Sequence, residues 1–219
     1  MRKISFLVLL FCTTFVSAQQ KPSASYLYMW AGDKGHAASD FLAVIDADPA
    51  SPNYGKIVAS VATGAAGTHP HHTEHQMPAN GHLLANGFHA GKTWLFDLND
   101  PLQPKIIAQF GDAGGFNHPH TYIRQPNGRI LTAFQYRGEH QTGGLVEMDE
   151  RGKVYRSGSA ADPAIADKEI FPYSVLPLPK INRAISTTTD MHGDVTKLSD
   201  QWVQVWDYNK LKLLYSVER

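Results

Sequence analysis

The chain has 219 residues, with 20 Lys and Arg against 20 Asp and Glu, 11 His, 18 Gly, 13 Pro and a single Cys. That length supports one large domain or two small ones, and 42% hydrophobic against 18% charged residues marks a globular chain rather than a disordered one. A formal charge of zero argues against nucleic acid or an anionic lipid surface as partner, since either would call for a basic excess. Histidine is the unusual component.

Arg2 and Lys3 lead into the apolar run Ile4–Phe15, and Val16-Ser17-Ala18 supplies the small residues that a signal peptidase reads. A run of about 12 residues is too short to cross roughly 30 Å of hydrocarbon as a helix. We therefore expect residues 1–18 to be a signal peptide and residues 19–219 to be exported, periplasmic or secreted, with no membrane segment. Cys12 follows Phe11, where a lipoprotein signal would place a small residue, so no lipid anchor is expected. Cleavage removes Arg2, Lys3 and the lone cysteine, leaving 18 bases against 20 acids. It also excludes disulfides, thiolate metal sites, cysteine nucleophiles and selenium held on cysteine sulfur.

From Tyr26 onward one plan recurs. A strand over Tyr26–Trp30 is followed by an apolar strand Phe41–Asp46, a polar turn, and a third strand Lys56–Val61. The second unit begins one strand earlier, with His69-Pro-His-His-Thr73, then His82–Phe88, Thr93–Asp97 and Lys105–Phe110. The third runs through His118-Pro-His-Thr121, Arg129–Tyr136, Gly144–Asp149 and Lys153–Tyr155. The fourth runs through Phe171-Pro-Tyr-Ser174, Arg183–Thr188, Trp202–Asp207 and Lys212–Val217. The aspartates closing the third strand of each plan, Asp46, Asp97, Asp149 and Asp207, lie 51, 52 and 58 residues apart. Asn-Gly turns at Asn80-Gly81 and Asn127-Gly128 precede two of the strands, where glycine tolerates positive φ. No helical periodicity persists. A four-stranded unit recurring about every fifty residues predicts an all-β fold of β-propeller blades, each of four antiparallel strands. The first unit lacks its inner strand, so residues 19–219 read as a partial propeller of about four repeats.

The first strand of each blade lines a propeller's channel, which makes the two His-Pro-His triplets, 49 residues apart, channel features. His71 and His120 should approach one axis from adjacent blades, with His72 beside them and Glu74 nearby. Imidazoles and a carboxylate at one point suit copper, zinc or iron. We assign metal binding or catalysis to His71, His72 and His120. His69 and His118 divide evenly between ligation and packing of the proline turn. Strand alternation would put His75 on the face of His69 and His71, although a structural role fits it better. His36, His82, His89, His140 and His192 lie in or beside turns and read as surface or supporting residues. Asp46, Asp97 and Asp207 read as turn caps.

Tyr28-Met-Trp-Ala-Gly-Asp33, the stretch Asp40–Val58, Gly67-Thr-His-Pro-His-His-Thr-Glu74, Phe110-Gly-Asp-Ala-Gly-Gly115 and Ile185-Ser-Thr-Thr-Thr-Asp190 followed by Trp202-Val-Gln-Val-Trp206 resemble the selenium-binding protein (methanethiol oxidase) family. The resemblance implies a seven-bladed propeller about twice this length, so that the chain is about half of the ring. It also implies an exported, copper-dependent oxidation of methanethiol by oxygen to formaldehyde, hydrogen sulfide and hydrogen peroxide. His71, His72 and His120 match the family's channel histidines. Where the family places a histidine before an asparagine in the third channel strand, this chain has Ile181 before Asn182. A second chain or self-association is then expected to complete the propeller. The competing readings are a non-catalytic propeller that binds metal, selenium compounds or a protein partner, and a zinc hydrolase.

Overall fold

The computed structural model describes residues 25–139, 141–191 and 201–218. The stretch read as a signal peptide lies outside these residues, as do His140 and His192. Four antiparallel sheets make up nearly all of the regular structure among the described residues. Blade 1 is three-stranded, built from β1 (Tyr26–Ala31), β2 (Phe41–Asp46) and β3 (Ile57–Ala62). Blade 2 comprises β4 (Pro70–Thr73), β5 (His82–Gly87), β6 (Lys92–Asp97) and β7 (Lys105–Phe110). Blade 3 comprises β8 (Phe116–Arg124), β9 (Ile130–Arg137), β10 (Gln141–Met148) and β11 (Val154–Ser159). Blade 4 comprises β12 (Pro172–Leu178), β13 (Arg183–Thr188), β14 (Trp202–Asp207) and β15 (Lys212–Glu218). Apart from strands, the described chain forms two short 3-10 turns, Pro163–Ile165 and Pro179–Ile181.

The repeated aspartate is a turn cap, as its recurrence implied. Asp97 Oδ1 accepts the backbone N–H of Asn99, and Asp207 Oδ1 accepts that of Lys210. Asp46 does the same for Asp48 and also accepts the Ser51 hydroxyl. Each carboxylate satisfies donors that the reversal would otherwise leave open.

The core lies between blades rather than within them. Leu42 of blade 1 packs with Leu83, Ala85, Trp94 and Phe96 of blade 2. Leu84 and Leu95 pack with Phe116, Tyr122, Phe134 and Met148 of blade 3, and Leu131, Ala133 and Leu145 pack with Val175, Ala184, Trp202 and Trp206 of blade 4. Burying each such large side chain contributes roughly 1.5–3 kcal/mol, which holds neighbouring blades face to face. Blades 2 and 3 are therefore covered on both faces, and the middle residues of β5, β6 and β9 are buried without alternation. Strands β1 and β14 do alternate, and Leu27, Met29, Leu176, Tyr215 and Val217 are exposed on the outer blades.

The stacked arrangement brings the inner strands together. β4 contacts β8, and β8 contacts β12. β1 contacts β4, as expected if blade 1 lacks its own inner strand among the described residues.

Candidate metal centre

All three inner strands carry the same defect at the same place. In β8, Pro119 pairs with Phe134 and Thr121 with Ala133, which leaves His120 as an extra residue. In β12, Pro172 pairs with Thr188 and Ser174 with Thr187, which leaves Tyr173. In β4, Pro70 pairs with Gly87 and Thr73 with Ala85, so His71 and His72 together stand opposite Asn86. Proline supplies no N–H to the ladder, and a bulge directly after it re-aims the next side chain. Strand alternation would send His71 and His72 to opposite faces. The bulge lets both reach one centre.

That centre is formed by His71, His72 and His120, each able to offer one ring nitrogen such that all three nitrogens lie within 4.8 Å of one another. Nε2 of His71 is 2.8 Å from Nε2 of His120. Nε2 of His72 is buried and makes no hydrogen bond. His120 is fully buried, with its ring centroid 3.7 Å from that of Tyr173.

Buried side-chain amides hold these bulges. Asn86 accepts the backbone N–H of His72 at 2.6 Å and donates to the carbonyl of Pro119 at 2.6 Å, so one side chain joins the ligand turns of blades 2 and 3. Trp30 of blade 1 donates to the Asn86 carbonyl at 2.7 Å. Gln135 repeats the device one blade on, donating to the carbonyl of Pro172 at 3.0 Å.

Burial, followed by the neighbouring His72 and His71, pushes His120 down to about 2. Burial and then His72, His69 and His89 hold His71 at about 4. His72 is also lowered, by burial first and His75 second. All three imidazoles are therefore neutral at physiological pH, so no positive charge on the rings opposes a cation and each ring has one nitrogen lone pair to offer. An all-imidazole donor set with an unsatisfied buried nitrogen fits copper, zinc or iron.

The other candidates divide. His69 and His118 lie outside the three-residue group. Both have positive φ, 59° and 55°, immediately before a proline. Proline disfavours the helical region for the residue ahead of it, and a left-handed non-glycine residue costs of order 1–3 kcal/mol, a strain that surrounding contacts must hold in place. His118 bonds Asn117 Oδ1 at 2.7 Å and packs on Tyr136, whereas Nδ1 of His69 lies 3.1 Å from Nε2 of His89. His75 is exposed beyond the end of β4 and does not join the group. Glu74 does not reach the centre either. It is buried in a two-point pair with Arg124 (2.8 and 3.1 Å) and accepts the Leu84 N–H. Arg124 also bonds Glu150, which takes His82 at 2.9 Å, so His82 supports the joint between blades 2 and 3. His36 is exposed at a turn. Ile181 is not on the third channel strand. It closes the turn after β12, 65% exposed, and Asn182 takes the left-handed conformation there. The residue that occupies the channel position is Tyr173, which the matching Phe171-Pro-Tyr triplet could have shown.

Fold and site together define a run of propeller blades with a three-histidine centre at the inner edge. No protein-family model matches the chain. The chain is similar in sequence to the methanethiol oxidase of Hyphomicrobium sp, 32% identical over 144 residues, which are 61% of this chain and 31% of that one. It is 28% identical to the methanethiol oxidase of Ruegeria pomeroyi over 138 residues, 58% of this chain and 31% of that one. In structure it is similar to a hypothetical selenium-binding protein from Sulfolobus tokodaii, with a TM-score of 0.70 at 20% identity, covering 90% of this chain and 49% of that one. The C-terminal domain of Pseudomonas aeruginosa PilY1 shares the fold more loosely, with a TM-score of 0.52 at 17% identity, covering 84% of this chain and 39% of that one. The resemblance to the selenium-binding protein (methanethiol oxidase) family is thus borne out, and the match spans about a third of the length of the two oxidases.

Proposed function

We propose that the chain forms the histidine-bearing part of an exported thiol oxidase that uses copper held by His71, His72 and His120. Its reaction consumes methanethiol or a similar small thiol, oxygen and water, and yields the aldehyde, hydrogen sulfide and hydrogen peroxide. The observation that carries this reading is the convergence of three imidazoles from adjacent blades, in a chain similar in sequence to proteins named methanethiol oxidase. Copper held by His71, His72 and His120 would supply one-electron exchange between a thiol and oxygen. The chain itself supplies the rest. The bulges aim the imidazoles, and Asn86 fixes the two ligand turns relative to each other. Phe88, 1% exposed, backs His71 and His120 and excludes water from that side. Tyr173 covers one side of His120, with ring centroids 3.7 Å apart.

Further blades, from a longer chain or a second copy, would cover the apolar side chains Leu27, Met29, Leu176, Tyr215 and Val217. Propellers also serve as non-catalytic binding modules, so the test must separate turnover from binding. The copper-loaded protein is expected to consume methanethiol and release sulfide and peroxide in equal amounts, and His71→Ala and His120→Ala should abolish this. Thiol binding without peroxide would establish the binding module instead. Turnover with zinc and no oxygen would establish a hydrolase.

A further inference from the structure

We infer that His69 and His89 form a second, outer metal-binding site, through which a first-row transition ion that favours imidazole nitrogen reaches the inner three histidines. The inference rests on the inner centre being a metal site. Nδ1 of His69 and Nε2 of His89 are 3.1 Å apart, with ring centroids at 4.3 Å. Metal–imidazole bonds of about 2.0–2.1 Å place neighbouring ligand nitrogens roughly 3 Å apart, so little movement separates this pair from a two-point chelate.

Position supplies the second argument. His89 is exposed, His69 and His71 are partly buried, and His120 is fully buried. Ring centroids along this line are separated by 4.3 Å from His89 to His69, 5.2 Å to His71 and 4.7 Å to His120. A cation stepping inward therefore always has an imidazole within reach. Phe88 lies beneath the whole line, with centroids 6.3, 6.2, 5.9 and 6.0 Å from His89, His69, His71 and His120. Its apolar ring offers the ion no ligand atom of its own. His69, held at positive φ, has its ring next to both His89 and His71. Two ligands hold an ion less firmly than three, so the gradient of affinity runs inward.

The test is a Cu(II) titration of the metal-free chain, with stopped-flow filling followed by electron paramagnetic resonance. The wild type should show one tight and one weaker class of site, separated by at least about tenfold in affinity. His89→Gln should remove only the weaker class and slow filling of the tight one by about tenfold or more, without changing its final affinity. His69→Asn, which keeps a residue tolerant of positive φ, should do the same, with thermal melts confirming that both variants fold. A single class in the wild type, or two classes and unaltered filling in His89→Gln, would overturn the outer site and leave the inner one standing. A tight class that survives His120→Ala would overturn the inner reading and this inference with it.

Discussion

The inner strands of blades 2 and 3 share a proline-and-bulge backbone with that of blade 4. They differ from it in the side chains at the bulge and in the residue ahead of the proline, where His69 and His118 have positive φ and Phe171 does not. Each has a proline, a bulge directly after it, and a neighbouring strand one residue short at that point. Blades 2 and 3 put histidine at the bulge and gather His71, His72 and His120. Blade 4 puts Tyr173 there, and its ring stacks on His120 without joining the nitrogen cluster. The repeated backbone thus sets where a side chain points, and residue identity sets the chemistry.

The largest way to break the contrast is to remove a ligand. His120→Ala should weaken copper binding at least about a hundredfold, near 2.7 kcal/mol, measured by competition with a chelator of known affinity. Removing the clamp should cost nearly as much in stability. Asn86→Ala strands the His72 N–H and the Pro119 carbonyl, and should lower unfolding free energy by about 1–3 kcal/mol in urea.

The pH dependence of the metal-free protein separates histidine blades from the tyrosine blade. A histidine whose folded pKa lies below its unfolded value stabilises fully above about pH 6.5, and that contribution falls as the unfolded chain takes up protons. For buried His120, lowered to about 2, the loss continues well below pH 4, whereas for His71 it levels off near its value of about 4. Between pH 7 and 5, His120 alone should account for about 2 kcal/mol, and the slope should shrink in His120→Ala. The smallest effect sharpens the comparison from the other side. Tyr173→His places an imidazole on the third bulge and should tighten copper binding about tenfold, roughly 1.4 kcal/mol.

Much of this architecture was legible in the sequence. The recurrence of an apolar strand ending in Asp, followed by a turn and a Lys-led strand, located the blades, and β2 and β14 fall on the predicted residues. The His-Pro-His spacing brought His71 and His120 together. What escaped was set by pairing register, which a single strand does not display. The sequence reading places His72 in the site beside His71 and gives His75 a structural role, but period-two alternation gives no reason for two adjacent side chains to share a centre. The bulge in β4 supplies it. Glu74 looked like a ligand by proximity in sequence, yet the backbone turns it toward Arg124. Asn86 and Gln135 carry no motif, because a buried amide clamp is defined only by the carbonyls it meets across a blade boundary. Ile181 was placed on the third channel strand, although the prolines at 177 and 179 lead into a turn there and Tyr173 holds the channel position.

The central claim is that imidazoles from two blades share one ion. X-ray absorption at the copper edge, on chain loaded with one equivalent, tests it most directly. Three histidine nitrogens at about 2.0 Å in the wild type, falling to two in His71→Ala and to two in His120→Ala, is the predicted result. An unchanged histidine count in both variants would contradict it.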